Sequence, residues 1–329
     1  MTTTSTILNV LDLYNHKYML PTASIIMNSS SPLFTLPIGA QGNVTCTEPM
    51  PKVYLLVFNS PPDNRLTPEF CKAMKLALDI LEHKYPKGVV VTTSGIAKFY
   101  SNGLDLASAM NTPGFWKDSL YTFWRRLLTY VSSPLRKLDL CSYRYPMPLV
   151  ALLNGHAFAG GLMTAMMHGT FLMSPMDFAH YYIDYRYMNP HRGYLCLNEI
   201  EFGAALRAPM ASVFRNKLPR PDTFRTMLLE AKRFTALEAL KEGIVDGLGG
   251  LDEVVRFITD FKLVDKAQSG VYGKLKEELF RETLQLLEQG GEIENREADV
   301  RNGVASRYDQ ANLQDFENWE TRSSKTSKL

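Results

Sequence analysis

The chain has 329 residues, of which 45% are hydrophobic and 21% charged, and its formal net charge is +2. This composition is typical of a globular protein with a full hydrophobic core, and so small a charge argues against nucleic acid as a partner. The four cysteines form neither a CxxC motif nor a Cys/His cluster, so we expect reduced thiols and no metal site.

The first part of the chain predicts an α/β protein. Residues 1–30 are rich in Ser, Thr and Asn and predict a poorly ordered arm. The apolar stretch KVYLLVFN (52–59) predicts a strand, and Thr67 followed by Pro68 predicts the start of a helix. A second apolar strand, GVVVTTS (88–94), follows. Strand, helix and strand in this order indicate the α/β class.

The middle of the chain contains a long segment without charge, from Tyr145 to Met176. The segment is long enough to cross a membrane, but its prolines and the Gly160-Gly161 pair divide it into a strand, a turn and a short helix. We therefore predict no membrane span. The stretch GYLCLNE (193–199) then predicts a further strand.

The last third predicts mainly helices. In residues 225–248 a capping box of Thr235 and Glu238 opens a helix, Gly243 ends it, and the strand IVD follows. Residues 270–290 predict one amphipathic helix.

The chain ends in Ser327-Lys328-Leu329, which is a peroxisomal import signal when it stands at a free C-terminus. We therefore predict a peroxisomal location and the import receptor as a partner. The predicted organisation is an arm, a core, a C-terminal helical region and a tail, at residues 1–30, 31–250, 251–320 and 321–329.

Two turns share one design, in which a Gly-containing bend immediately precedes a helix. They are Ser101–Asp105 and Ala157–Gly161. The first amides of a helix lack intrahelical partners, so two such ends that converge would bind a developing oxyanion. The alternative is that the glycines only permit tight turns and close packing.

The motifs NGHAFAGGL, SNGLDL and FTALEALKEGIVD occur in the order found in the crotonase (enoyl-CoA hydratase/isomerase) superfamily, and residues 50–285 resemble that family. The resemblance is greatest to the Δ3,Δ2-enoyl-CoA isomerase branch in its fungal peroxisomal form. It implies a spiral of ββα units with a C-terminal helical region, a homotrimer or a hexamer, and an acyl-CoA substrate without any other cofactor.

The resemblance also implies the catalytic groups. The oxyanion donors fall on the amides of Leu104 and Gly160, and a carboxylate base falls on Glu199. Hydratases of the family carry a second glutamate three residues after the oxyanion glycine, where this chain has Met163. A single base suits an isomerase. Glu201 is the alternative candidate for the base, because strand alternation would place it on the same face as Glu199.

The remaining site residues follow from the same resemblance. We expect Met163, Met166 and Leu197 to surround the acyl group and to raise the pKa of Glu199. Lys98, by its place just before the first turn, is a candidate for contact with the phosphates of coenzyme A, and the alternative is a solvated lysine; Lys274, in the C-terminal helical region, is a weaker candidate for the same contact.

The predicted function is isomerisation of a 3-enoyl-CoA to the 2-enoyl-CoA, in fatty-acid oxidation or in forming the acyl chain of a secondary metabolite such as a toxin. The alternatives are a hydratase-type crotonase reaction and a catalytically silent acyl-CoA-binding subunit. Two segments of fifteen residues, 131–145 and 169–183, depart from the family pattern. Each is either a lineage-specific loop or a retained intron.

Overall fold

The computed structural model describes residues 31–128, 147–168, 171–172, 181–182, 185–290, 310–314 and 316–318. The predicted arm at 1–30, the segment 131–145 and the tail 321–329 lie outside the described residues. Of the segment 169–183, only two short strands, which pair with each other in antiparallel fashion, are described.

The fold contains one large sheet and one small one. The strands are Phe34–Ile38 (β1), Gly42–Met50 (β2), Val53–Asn59 (β3), Val89–Ser94 (β4), Phe99–Ser101 (β5), Leu149–Leu153 (β6), His156–Phe158 (β7), Phe171–Leu172 (β8), Tyr181–Tyr182 (β9), Tyr185–Met188 (β10), Leu195–Cys196 (β11) and Gly247–Leu248 (β12). The large sheet has the order β1-β2-β3-β4-β6-β10-β12, in which all pairs from β3 onward are parallel.

Helices connect and cover these strands. They are Pro68–Lys84 (α1), Leu106–Asn111 (α2), Thr122–Leu128 (α3), Gly160–Met166 (α4), Ala208–Lys217 (α5), Pro221–Leu229 (α6), Ala236–Lys241 (α7), Leu251–Asp260 (α8), Leu263–Ala267 (α9), Tyr272–Leu279 (α10) and Arg281–Gln289 (α11). A π-helix spans Phe115–Tyr121, and a 3-10 helix spans Glu199–Phe202. The α/β class predicted from the sequence is confirmed.

Local sequence explains the helix ends. Thr67 caps α1 by accepting a hydrogen bond from the amide of Phe70, and Pro68 occupies the first turn, where an amide hydrogen is not needed. The predicted capping box of Thr235 and Glu238 is present at the start of α7. Gly243, with φ of 70°, follows the end of that helix as expected.

The large sheet is buried on both faces, which explains why its parallel strands read as continuous apolar runs. One face packs against α1, α3 and α4, and the other face packs against α8 and α9. Alternate residues of one strand divide between the two faces: Val53 lies in the α8 cluster, and Tyr54 in the α1 cluster.

Three predicted elements differ from the structure. The segment 270–290 is not one helix, because the chain breaks at Phe280, a buried residue between α10 and α11. The strand expected at IVD (244–246) lies slightly later, at β12. The strand expected over 193–199 is limited to β11, and Glu199 begins the 3-10 helix.

Within the described part of the chain, no helix combines the length and the apolar character that a bilayer crossing requires.

Candidate active site

The small sheet brings three turns to one edge. Its order is β11-β7-β5, and both pairs are parallel, with Ala157 in register with Ser101 and with Leu195. The carboxyl ends of parallel strands meet at the same edge of a sheet. The segments after these strands, which hold Leu104, Gly160 and Glu199, therefore leave the sheet at the same edge.

The amides of Leu104 and Gly160 lie close together. A Cβ atom built on Gly160 would lie 3.2 Å from the Leu104 nitrogen, and one built on Gly103 would lie 3.2 Å from the Gly160 nitrogen. Neither amide donates a hydrogen bond to any other described residue. The two predicted oxyanion donors are thus adjacent and available.

The backbone before Gly160 is strained. Ala159 has φ of 48° and ψ of −124°, a conformation that L-residues rarely adopt. Its amide donates to the carbonyl of Cys196 at 2.9 Å, which ties the turn to β11 and so to the segment that carries Glu199. Strain of this kind costs about 1–3 kcal/mol and persists only where the surrounding structure enforces it.

Helix α4 is held in place by hydrogen bonds from Trp124 of α3 and Lys217 of α5. The Thr164 hydroxyl donates to the carbonyl of Gly160 at 2.8 Å and accepts from Trp124 Nε1 at 2.9 Å. At the other end, the ammonium of the buried Lys217 donates to the carbonyls of Met166 and His168. Nothing in the sequence pointed to Lys217, because a lysine in a helix usually faces solvent.

Glu199 is a buried carboxylic acid with few hydrogen bonds to offset its loss of contact with water. The residue is 7% exposed, and its Oε2 atom has no hydrogen-bond partner among the described residues. Burial raises its pKa from 4.5 to about 7, opposed in part by a hydrogen bond from its own amide. A carboxyl group with such a pKa is a suitable base near neutral pH.

Local geometry distinguishes Glu201, the other candidate for the base, from Glu199. The prediction that the two share a face is wrong, because they lie in a 3-10 helix rather than a strand. Residues two apart in such a helix point in different directions. Glu201 is exposed while Glu199 is buried, so the structure distinguishes the two.

The apolar residues expected around the site are all buried, but they do not all face it. Met163 and Leu197 are each at most 1% exposed. Met163 follows the turn Ala157–Gly161, and Leu197 lies between β11 and Glu199. Met166 is also buried, but its sulfur accepts a hydrogen bond from Arg186 Nη1 at 2.8 Å. That contact directs Met166 toward the buried ion pair of Arg186 with Asp246.

The structure places the two candidate lysines differently. Lys98 is exposed immediately before β5, and its carbonyl accepts from the amide of His156 at 2.9 Å, at the opposite end of the small sheet from Glu199. Lys274 lies on α10, in a groove of about 380 Å³ lined by charged side chains of α3, α10 and α11. The three turns contribute no residue to that groove.

His156 and His168 have structural roles near the site. His156 stacks on Tyr194 and its Nδ1 atom accepts from the Tyr194 amide at 3.0 Å. Burial lowers the pKa of His156, and it lowers that of His168 to about 3. His168 hydrogen-bonds Thr92 and the carbonyl of Thr164. Among the described residues, no cluster of His, Cys, Asp and Glu could hold a metal ion.

Residues 50–302 match the family model described as enoyl-CoA hydratase/isomerase. The peroxisomal enoyl-CoA delta isomerase 1 of Arabidopsis thaliana is 29% identical over 76% of this chain and 94% of its own length. The mitochondrial enoyl-CoA delta isomerase 1 of Homo sapiens is 27% identical over 59% of this chain and 56% of its own length.

Solved structures show the same fold. A crystal structure of human mitochondrial delta3-delta2-enoyl-CoA isomerase is 24% identical, with a TM-score of 0.56 over 77% of this chain and 87% of that one. An enoyl-CoA hydratase/isomerase family protein of Pseudomonas syringae gives a TM-score of 0.57 at 20% identity, over 77% of this chain and 96% of that one.

Proposed function

The chain belongs to the enoyl-CoA hydratase/isomerase family, and we propose that, as an isomerase of that family, it moves the double bond of a 3-enoyl-CoA to the 2-position through a thioester dienolate. One observation carries the proposal. A single buried carboxyl group, Glu199, leaves the small sheet at the same edge as two amides that have no acceptor among the described residues.

The two amides would bind the thioester oxygen. When a proton leaves C2, negative charge moves onto this oxygen, and the amides of Leu104 and Gly160 stabilise that charge. Such donors act more strongly in a site without water, and loss of one typically costs about 10²–10³ in kcat. No rearrangement is needed, because both amides are already unpaired within the described structure.

Glu199 would move the proton. Its ionised carboxylate takes the C2 proton, and the electron pair of the C–H bond enters the dienolate. The same carboxyl group then returns a proton to C4, which leaves the double bond between C2 and C3. A pKa of about 7 lets the group act in both directions near neutral pH.

Met163 favours isomerisation over hydration. It occupies α4 three residues after Gly160, where the resemblance places the second glutamate of a hydratase, and it is 1% exposed. A thioether cannot act as an acid or a base, so water addition would lack its second carboxyl group. Met163 and Leu197 would instead contact the acyl chain.

The substrate would supply coenzyme A itself, and no other cofactor is needed. Lys98 is an exposed cation near the small sheet and remains our candidate for contact with the coenzyme A phosphates. Lys274 and Met166 are weaker candidates for substrate contact, since their neighbours belong to other parts of the fold. We also propose assembly as a trimer or hexamer.

The proposed location is the peroxisome. The support is that relatives are named as peroxisomal isomerases, together with Ser327-Lys328-Leu329, a tripeptide that is an import signal when it stands at a free C-terminus. The import receptor would then be a partner. The pathway would be oxidation of unsaturated fatty acids or formation of a secondary-metabolite acyl chain.

Activity on two substrates tests the reaction. The purified protein should convert 3-hexenoyl-CoA to the conjugated isomer and should not hydrate 2-hexenoyl-CoA. Glu199→Gln should abolish the conversion, while the exposed Glu201→Gln serves as a matched control. Hydration of 2-hexenoyl-CoA would favour the hydratase alternative. Binding of the thioester without turnover would indicate a silent subunit, and full activity of Glu199→Gln would exclude this residue as the base.

A further inference from the structure

We propose that the segment Asp63–Leu66 positions the first oxyanion donor, Leu104, and that Arg65 and Asp63 are positioning residues of the reaction. The inference rests on the proposed function, since it takes the Leu104 amide as a donor to the thioester oxygen. The segment follows β3 and immediately precedes α1, so it belongs to a different part of the chain from the catalytic turns.

Backbone hydrogen bonds attach this segment to the turn on both sides of Leu104. The Asn102 amide donates to the Asp63 carbonyl at 3.0 Å, and the Leu66 amide donates to the Gly103 carbonyl at 2.9 Å. After Leu104, the Asp105 amide donates to the Leu66 carbonyl at 3.4 Å. These contacts use the groups that flank Leu104 and leave its own amide without a partner among the described residues.

Side chains strengthen the attachment. The Asp63 carboxylate accepts from Arg65 Nε at 3.0 Å and from Asn102 Nδ2 at 2.6 Å. Arg65 Nη1 also donates to the carbonyl of Leu104 at 3.2 Å. Because the guanidinium group is planar and rigid, these bonds fix the carbonyl of Leu104 relative to Asp63. The orientation of the Leu104 residue is thereby fixed at both of its peptide groups.

The segment is itself anchored in the core. Asn64 is fully buried, and its Nδ2 atom donates to Ser94 Oγ at 2.6 Å and to the Tyr100 carbonyl at 3.1 Å. The carbonyl of Asn64 accepts from Ser101 Oγ at 2.7 Å. Asp63 and Arg65 therefore stand on a rigid support, which a positioning role requires.

The ion pair has little importance for stability. The Arg65 side chain is 39% exposed and that of Asp63 is 13% exposed. The Arg65 end of the pair is partly open to solvent, where ion pairs contribute little to folding, although the Asp63 Oδ1 atom is buried. We therefore expect Arg65 to be replaceable without unfolding the protein, so that a loss of rate in the variant would reflect the position of Leu104.

The test compares Arg65→Met and Arg65→Lys in the full-length protein. The control is Arg220→Met, which removes another exposed arginine that pairs with Asp222 and Glu242. The readouts are kcat and KM with 3-hexenoyl-CoA, and the ultraviolet band of the enolate that acetoacetyl-CoA forms when it is bound. The enolate band reports the oxyanion donors without requiring turnover.

We expect Arg65→Met to lower kcat about tenfold, as for loss of one charge-assisted hydrogen bond, with KM nearly unchanged. The bound enolate fraction should fall with kcat, Arg65→Lys should recover part of both, and the control should match the wild type. Asp63→Asn should act in the same direction, and its effect should be less than additive with Arg65→Met.

Two results would overturn the inference. A rise in KM with unchanged kcat would make Arg65 a substrate contact, and unchanged kcat with an unchanged enolate band would show that Leu104 needs no such support. Failure of the wild type to isomerise 3-hexenoyl-CoA would remove the proposed function instead. The enolate band would still decide whether Arg65 positions Leu104.

Discussion

Replacing Glu199 by Gln should remove a loss of stability that the wild type shows as the pH rises. Burial raises the pKa of Glu199 from 4.5 to about 7, so between these pH values the folded protein keeps a proton that the unfolded chain has lost. Stability from this group therefore falls as the pH rises through that window. At about 1.4 kcal/mol per pH unit, the loss reaches about 3 kcal/mol above pH 7 and is absent below about pH 4.5.

Urea unfolding at about pH 5 and about pH 8.5 measures this effect as a difference of free energies. The introduced glutamine would carry an unpaired amide at both pH values, so that cost cancels when the two pH values are compared. The stability of Glu199→Gln relative to the wild type should rise by about 2.5 kcal/mol between them, because part of the loss has already occurred at about pH 5. Glu201→Gln should show no such rise, because Glu201 is exposed. An equal difference at both pH values for Glu199→Gln would refute the claim that burial disfavours the ionised carboxylate.

Three further predictions concern activity and the core. The kcat/KM for 3-hexenoyl-CoA should rise with pH and level off above about pH 7, because only ionised Glu199 accepts a proton; a flat profile from about pH 5 to about pH 8 would contradict this. Gly160→Pro should lower kcat by about 10²–10³ in steady-state assays, because it removes one oxyanion amide; wild-type kcat in a folded variant would exclude that amide as a donor. Asp246→Asn should destabilise the fold by about 3–5 kcal/mol in urea unfolding, because it leaves the buried Arg186 charge uncompensated, and a loss below about 1 kcal/mol would count against this pair.

The sequence predicts best those features that depend on neighbouring residues. Thr67 with Pro68 starts α1, and Thr235 with Glu238 starts α7, since each cap is formed within a few residues. The sequence also predicts the parallel strand β4, because a short run of valines is typical of a strand that is buried on both faces.

Features that depend on distant contacts were not predictable in this way. The carboxyl oxygen of Glu199 lacks a hydrogen-bond partner because of the residues that pack around it, which the local sequence does not show. Strand alternation wrongly placed Glu201 on the same face as Glu199. The break at Phe280 coincides with burial of that side chain in the main core cluster, which is formed by residues far apart in the sequence. The attachment of Arg65 to Leu104 joins residues 39 positions apart, and no local motif announces it.

The groups that lower the stability of this fold are the same groups that the proposed reaction needs. Two amides without acceptors within the described structure, a strained Ala159 and a buried carboxyl group each lower stability, and all of them follow strands of one small sheet. In a fold selected only for stability, these groups would find partners or relax. The Ala159 amide bonded to Cys196 and the segment Asp63–Leu66 bonded around Leu104 prevent that relaxation. In the proposed reaction these unsatisfied groups would bind an anionic intermediate, and the large sheet and its helices would offset the stability that the arrangement loses.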